Sequence, residues 1–146
     1  MEVKNKKAYF DYFVEEEFIA GIVLIGGEIK SVRQSKLSIS EAYCYITNDN
    51  EIFLKGSYIK LYENSGIVKY DEHRLRKLLL KKSEILKISR FMKEHKTGYT
   101  LIPLSIFINS KGLCKVKIGI CKGKKNYDKR ETIKERENKR QMKKEI

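Results

Sequence analysis

Apolar positions alternate with polar ones in several short runs along the first half of the chain. Residues 9–25 are rich in aromatic and β-branched side chains, which favours a strand that ends at two glycines. Residues 28–34 place apolar side chains three positions apart after an acidic start, which predicts a short amphipathic helix. Residues 43–54 predict a hairpin around the turn-forming sequence NDN, and residues 57–62 predict a further strand.

The second half combines one stronger helix with two longer strands. Residues 83–95 begin with a serine and carry apolar side chains at helical spacing, which predicts a helix. Residues 99–108 predict a strand that contains Pro103, and because proline has no amide donor we expect an edge position or a bulge there. Residues 114–121 alternate apolar side chains with lysines, which is typical of a half-buried strand with a solvated basic face.

These short strands, turns and helices predict a mainly β fold. We expect a small antiparallel β-barrel of the oligonucleotide-binding (OB) type, with two or three flanking helices and a basic C-terminal tail. Residues 1–122 would form this barrel, a fold that typically binds nucleic acid, and residues 123–146 would form the tail. The tail has few aliphatic side chains to offset an ordering cost of roughly 1–2 kcal/mol per residue, so we expect it to be disordered when free. Because it lacks Gly and Pro from Lys129 onward, it can become helical on a polyanionic partner.

The charge distribution indicates the kind of partner. The chain has 146 residues and a formal net charge of +13. Residues 1–66 hold slightly more acidic than basic side chains, so the positive charge lies in the centre of the chain and in the tail. A basic excess of this size favours binding to a polyanion, and nucleic acid fits better than the alternative of a solvated surface that happens to be basic.

Several classes of function find no support in the sequence. The longest apolar run, residues 19–25, is far shorter than the roughly 18 residues of a membrane span, and the N-terminal stretch lacks the apolar core of a signal peptide. Three cysteines without CxxC spacing favour a reducing cytosol, so we expect a cytoplasmic protein that does not bind membranes. Neither histidine has a partner at metal-ligand spacing, and P-loop and GxGxxG patterns are missing. We therefore predict no catalytic residue, no metal and no cofactor.

Basic clusters and one acid are the candidate RNA contacts. The sequences NKK and KGKK offer phosphate contacts from Asn5, Lys7, Lys124 and Lys125. Glu28 has two interpretations, since an acid after two glycines can accept from base or ribose donors or can interact with the dipole at a helix start. The residues alone favour the second interpretation.

Three blocks of the chain resemble the SsrA-binding protein family, also called small protein B. The first block is NKKAYFDYFVEEEFIAGIVLIGGEIKSVR, the second is RKLLLKKSEI, and the third is GYTLIPLSIFINSKGLCKVKIGICKGKKNYDKRETIKER. The pattern GKK, two residues, DKR and then IKER is long and specific. The chain departs from the usual family pattern at Phe10, where histidine is common, and at Gly27, Lys81 and Asn138.

The resemblance implies an RNA-binding protein that is not an enzyme. Family members bind the tRNA-like domain of transfer-messenger RNA and deliver it to stalled ribosomes for trans-translation. The body would take the place of the lower half of a tRNA, while the tail would enter the messenger channel near the decoding centre of the small subunit. A monomer is expected in the free state. The alternative is a generic single-strand RNA-binding OB-fold, or a ribosome-associated protein, without specificity for a tRNA-like fold. A second rival is an RNA-processing enzyme.

The resemblance also implies roles for individual positions. It assigns Glu28, Lys30, Arg33, Leu79 and Lys81 to the RNA-binding surface, and so favours the RNA-facing interpretation of Glu28. The positions matched to the tail segment near the decoding centre are Tyr127, Asp128, Lys129, Arg130, Lys134 and Arg136.

Overall fold

Strands and helices follow one another along the chain in a computed structural model that describes residues 1–62, 69–95 and 97–145. The elements are β1 (Glu2–Lys4), α1 (Lys6–Asp11), β2 (Tyr12–Ile22), α2 (Gly26–Arg33), β3 (Leu37–Ser38), β4 (Tyr43–Ile46), β5 (Ile52–Lys55), β6 (Tyr58–Ile59), β7 (Arg76–Leu79), α3 (Lys82–Glu94), β8 (Tyr99–Ile108), β9 (Cys114–Gly123) and α4 (Asn126–Glu145).

Seven of these strands form one antiparallel sheet in the order β1-β8-β4-β5-β7-β2-β9. Strands β8 and β9, which lie near opposite ends of that order, also pair with each other along most of their length. The short strands β3 and β6 form a separate two-stranded sheet. The predicted mainly β architecture with several helices is confirmed.

The core lies on the inward faces of the long strands. In β9, Val116, Ile118 and Ile120 are buried while the alternating Lys115 and Lys117 are partly exposed, as the alternation predicts. Helix α3 covers the core with Ile88. A Cβ at Gly119 would lie 2.8 Å from Cδ1 of the buried Leu104, so any larger residue there would have to displace packed side chains of β8 and β2.

Pro103 lies at an irregularity in strand pairing. The register between β8 and β9 shifts between Pro103 and Ser105, which confirms the predicted bulge. Pro103 itself pairs only with Ile118 of β9, because β4 pairs with β8 at Leu101 and β1 pairs with it from Ser105 onward.

The N-terminal segment differs from the prediction. Residues 9–11, expected at the start of a strand, form the last part of α1, and β2 begins only at Tyr12. The helix forms because Oδ1 of Asn5 accepts a hydrogen bond from the amide of Ala8, 3.0 Å away, and Ala8 is buried. The aromatic side chains that suggested a strand lie on the outside of this helix.

The central basic block contains a strand as well as a helix. Arg76 and Leu78 of β7 are buried, and the strand pairs with both β5 and β2. Helix α3 begins at Lys82, one residue before the predicted start, and Glu84 closes its first turn by accepting from the amide of Lys81.

The tail forms the 20-residue helix α4, which is mostly exposed. Its helical tolerance from Lys129 onward matches this conformation. Disorder in the free protein stays a prediction. Neither α4 nor any other helix of the described residues is long and apolar enough to cross a membrane.

Candidate nucleic-acid interface

Strand β2 separates two groups of predicted RNA-binding residues. It has 11 residues, so its ends lie about 30 Å apart. Its first residue follows α1 and pairs with Gly123, next to Lys124 and Lys125. Its last residues pair with Leu78 and Leu79 and precede α2, which carries Lys30 and Arg33. The predicted set therefore does not form one site but flanks the body at two ends.

The outer surface of β7, β2 and β9 carries exposed apolar side chains with lysines among them. We call it the strand face and define it by Leu75, Lys77, Leu79, Ile19, Val23, Lys115 and Lys117. All four of its apolar side chains are exposed, Leu79 by 53%. Exposed apolar side chains grouped among cations make this face a candidate interaction surface.

Gly21 lies in the middle of the strand face. It pairs with Leu79 on one side and with Lys115 on the other. The side chain of Leu79 packs over Gly21, where an added Cβ would lie 3.4 Å from Cβ of Leu79. An exposed leucine on one side of Gly21 and a lysine on the other can contact an unpaired base and its phosphate.

The structure corrects the position predicted for Glu28. Its side chain is 0% exposed and does not lie on the RNA-facing side of α2. Oε1 accepts from the amide of Ile25 at 2.8 Å, which closes the first turn of α2, and from Arg74 at 2.6 Å. Oε2 accepts from Nε of Arg76 at 2.8 Å. The interpretation as a helix-start acid describes this geometry better than direct RNA contact.

All three nitrogens of the Arg76 guanidinium donate hydrogen bonds, and two of them donate to the carboxylate of Glu28. Like Glu28, Arg76 is completely buried. Its remaining donors reach Oγ of Ser57 at 2.9 Å and the carbonyl oxygens of Ser57, Glu72 and Arg74. Burial alone would raise the pKa of Glu28, but the hydrogen bonds from Arg74, Ile25 and Arg76 outweigh it and hold that pKa below its ordinary value of 4.5.

This buried network joins the helix and the strand that border the strand face. It ties the first turn of α2 to β7, so it fixes where Lys30 and Arg33 project. Both cations are exposed, and Nζ of Lys30 lies 5.3 Å from the ring centre of Tyr62. Lys81, after β7, is exposed as well. Glu28 therefore holds, from inside the protein, the helix that carries the predicted contacts Lys30 and Arg33.

Asn5 is also buried and serves the fold. Its side chain is only 3% exposed. Besides capping α1, its Nδ2 donates to the carbonyl oxygens of Ile39, at 3.1 Å, and Pro103, at 2.9 Å. The predicted phosphate contact from Asn5 does not fit this burial, because all its polar atoms are already used inside the protein.

Replacing Asn5 with alanine is expected to lower the free energy of unfolding by about 2 kcal/mol. The variant loses the cap of α1 and leaves two buried carbonyl oxygens without a donor. Urea unfolding followed by circular dichroism measures the change. Lys6→Ala, next to it and exposed, is the matched control and should change stability by less than about 0.5 kcal/mol. Equal stability of the two variants would contradict the structural role.

The predicted contacts Lys7, Lys124 and Lys125 lie on or next to α1. Lys7 is exposed and forms an ion pair with Glu41 at 2.5 Å, and this hydrogen bond raises the pKa of Lys7. The amide of Lys124 donates to the carbonyl oxygen of Asp11 at 2.8 Å, and its Nζ lies 5.0 Å from the ring centre of Phe13. Lys125 is exposed at the start of α4.

The predicted tail residues occupy different faces of α4. Tyr127 is 61% exposed, and Arg130 and Lys134 are exposed near it. Asp128 accepts from the amide of Lys125 at 3.2 Å and so starts the helix. Two further cations face the body: Nζ of Lys129 lies 3.4 Å from Oδ1 of Asp11, and the guanidinium of Arg136 lies 5.5 Å from the ring centre of Phe10.

Comparison with known proteins identifies the family. The pattern of the family described as SmpB protein matches residues 2–146. The chain belongs to the SmpB family. Curated SsrA-binding proteins are similar over nearly its whole length: that of Ehrlichia canis (strain Jake) is 50% identical, covering 92% of this chain and 89% of the relative. That of Alkaliphilus oremlandii (strain OhILAs) is 49% identical, with coverage of 97% and 89%.

A solved SmpB structure also resembles the chain. It is described as "tmRNA-SmpB: a journey to the center of the bacterial ribosome" and superimposes with a TM-score of 0.71 at 36% identity. The match covers 86% of this chain and 85% of that one. The predicted family membership is confirmed.

Several SmpB residues of the strand face were missed as candidate contacts in the sequence. Lys115 and Lys117 were recognised as a basic face, but Ile19 and Val23 were assigned only to a strand. Their exposure follows from pairing with β9 and β7, which are about 100 and 55 residues further along the chain, and a local pattern does not reveal such partners.

Proposed function

We propose that this protein binds the tRNA-like domain of transfer-messenger RNA and delivers it to stalled ribosomes for trans-translation. The observation that carries the proposal is the match to SmpB over residues 2–146, together with curated SsrA-binding relatives of similar length. The protein acts by binding and positioning RNA, without catalysis, and it works in the cytoplasm. We also infer that the ring of pairings from β8 through β4, β5, β7 and β2 to β9 forms a barrel of the OB type.

The strand face is the surface that grips the folded RNA. Lys115 and Lys117 neutralise phosphates, so binding releases counterions and weakens as salt rises. Leu79 and its apolar neighbours pack against unstacked bases and sugars, which are exposed at the elbow of a tRNA-like fold. A plain duplex offers phosphates but no unstacked bases, and therefore binds less well.

The tail is the part that senses the ribosome. Helix α4 presents cations and Tyr127 to solvent, as ribosomal RNA in the decoding centre and the messenger channel would require. An intact message fills that channel and excludes the helix. Rescue is thereby limited to ribosomes whose message has ended.

A competition assay tests specificity for the tRNA-like fold against the two rivals. Unlabelled tRNA-like domain should displace a labelled copy at least tenfold more effectively than an unstructured RNA of the same length. Equal displacement would favour a generic single-strand binder. RNA cleavage that depends on Mg²⁺ and on one carboxylate would instead favour a processing enzyme.

Leu79→Asp is expected to weaken binding of the tRNA-like domain by about tenfold or more. The change removes an exposed apolar contact and places a negative charge beside Lys115, facing phosphate. Filter binding at fixed salt measures the affinity. The matched control is Leu113→Asp, an equally exposed leucine in the turn between β8 and β9, which should stay within about twofold. Equal effects of the two variants would remove the strand face from the RNA interface.

A further inference from the structure

The tail is attached to the body over its first part only. Beyond Gly123, which ends β9, the hydrogen bonds, ion pairs and cation–π contacts that join the tail to the body among the described residues fall between Lys124 and Arg136. All of them reach α1 or the start of β2. From residue 137 to residue 142 the side chains are exposed. The tail therefore has a docked part and a projecting part.

The docked part uses one face of α4. Lys129 and Arg136 are seven residues apart, about two turns, so they lie on the same side of the helix. Their partners, Asp11 and Phe10, are neighbours on α1. Lys129 and Asp11 are both largely shielded from solvent, with 34% and 26% of their side chains exposed.

A different face of α4 carries the exposed aromatic and cationic side chains. Tyr127, Arg130 and Lys134 follow one another at spacings of three and four residues, which places them on one side. At 100° per residue, this side is opposite the one that carries Lys129 and Arg136. Were α4 to rotate by half a turn about its axis, these three side chains would face α1 instead.

We propose that Asp11 and Phe10 are positioning residues for the tail. They anchor Lys129 and Arg136, and this anchoring turns the face formed by Tyr127, Arg130 and Lys134 outward, toward RNA. Lys129 and Arg136 are then anchors, in place of the RNA contacts that the resemblance implies for them. The identity of that RNA as ribosomal rests on the proposed function, whereas the anchoring itself does not.

The two contacts that anchor the tail, Lys129 with Asp11 and Arg136 with Phe10, are weak enough to break and re-form. A partly exposed ion pair contributes about 0.2–1 kcal/mol, and a cation–π contact at such a site contributes about 0.5–1 kcal/mol. Removing one contact should therefore lower the ratio of docked to undocked tail by up to about fivefold, without affecting the fold of the body. Helix α4 can therefore change its orientation when it binds a partner, although the docked orientation is favoured in the free protein.

A distance measurement in the full-length protein tests the anchoring. Spin labels are placed at Leu113→Cys and Gln141→Cys, both exposed positions, because the three native cysteines are buried and react poorly. The unmodified background should show a defined distance between the labels. Asp11→Asn should reduce that population about two- to fivefold, while Glu15→Gln, at an exposed carboxylate of β2, should leave it unchanged.

Charge reversal separates an anchoring ion pair from a general effect on stability. Asp11→Lys should lose the defined distance, and adding Lys129→Asp should restore it. A distribution that is equally broad in the background and in Asp11→Asn, or a double reversal that restores nothing, would overturn the proposal.

A functional comparison distinguishes failure of this inference from failure of the proposed function. Asp11→Asn should lower tagging on stalled ribosomes by about two- to fivefold while binding of the isolated tRNA-like domain stays unchanged. If the unmodified protein did not bind that RNA, the proposed function would fail while the distance result stood. If tagging was normal in a variant with a lost distance, the anchor would have no part in positioning.

Discussion

Removing residues 123–146 is expected to abolish tagging on stalled ribosomes while binding of the isolated tRNA-like domain stays within about threefold. The strand face lies wholly within the body, so its contacts survive the truncation. What is lost is the helix that we assign to the messenger channel, together with 10 of the 32 basic residues of the chain. A modest loss of RNA affinity follows from the loss of positive charge and should shrink as salt rises.

Two measurements on the same preparations decide this prediction: filter binding with the tRNA-like domain, and tagging in a translation system stalled on a message without a stop codon. The control is a shorter deletion, of residues 137–146, which keeps the docked part of α4. It should retain more activity than the full truncation. Normal tagging by the chain that ends at residue 122 would show that the tail does not act in the channel.

Glu28→Ala is expected to destabilise the fold by about 3–5 kcal/mol. The variant leaves the guanidinium of Arg76 buried without its counter-charge, and removing one member of a buried pair costs about this much. The sequence analysis treated Glu28 as an RNA contact, from which a loss of affinity at normal stability would follow. Burial of the carboxylate predicts instead that any loss of RNA binding accompanies a loss of fold.

Urea unfolding of three variants separates these explanations. Glu17→Ala removes an exposed carboxylate that lies 3.9 Å from Lys117, and should cost less than about 1 kcal/mol. Replacing the pair together, Glu28→Leu with Arg76→Met, should recover part of the stability lost in Glu28→Ala, because no charge is then left buried alone. Full stability of Glu28→Ala with weakened RNA binding would return Glu28 to the interface.

Acid should destabilise the protein partly through the same carboxylate. The pKa of Glu28 is lower in the folded protein than its ordinary value of 4.5. Its contribution to stability is therefore fully present above that value and is lost as the pH falls through the folded pKa. In Glu28→Gln this part of the acid dependence should be missing, which unfolding midpoints between about pH 3 and pH 6 would show.

Local patterns predicted those elements whose residues carry their own signal. The alternation in residues 114–121 gave β9 and its basic face, because one side of that strand packs on the core and the other is solvated. Pro103 predicted a bulge because proline cannot donate a ladder hydrogen bond. Helix α1 was missed because its aromatic side chains favour strands, whereas capping by Asn5 and packing of Ala8 decide the outcome.

The site was less predictable because its geometry depends on distant partners. Arg76 and Glu28 are 48 residues apart, and only folding shows that they neutralise each other inside the protein. Leu79 and Lys115 come together across Gly21 for the same reason. Family resemblance predicts the region of RNA contact, and burial shows that Glu28 and Asn5 within the predicted set lie inside the protein.

Sequencing of the RNA that copurifies with the tagged protein from its own cells tests the central claim most directly. The account predicts one dominant species, a transfer-messenger RNA, whose recovery falls sharply in Leu79→Asp and is retained in the chain that ends at residue 122. A mixture of cellular RNAs in proportion to their abundance, recovered equally by Leu79→Asp, would contradict it.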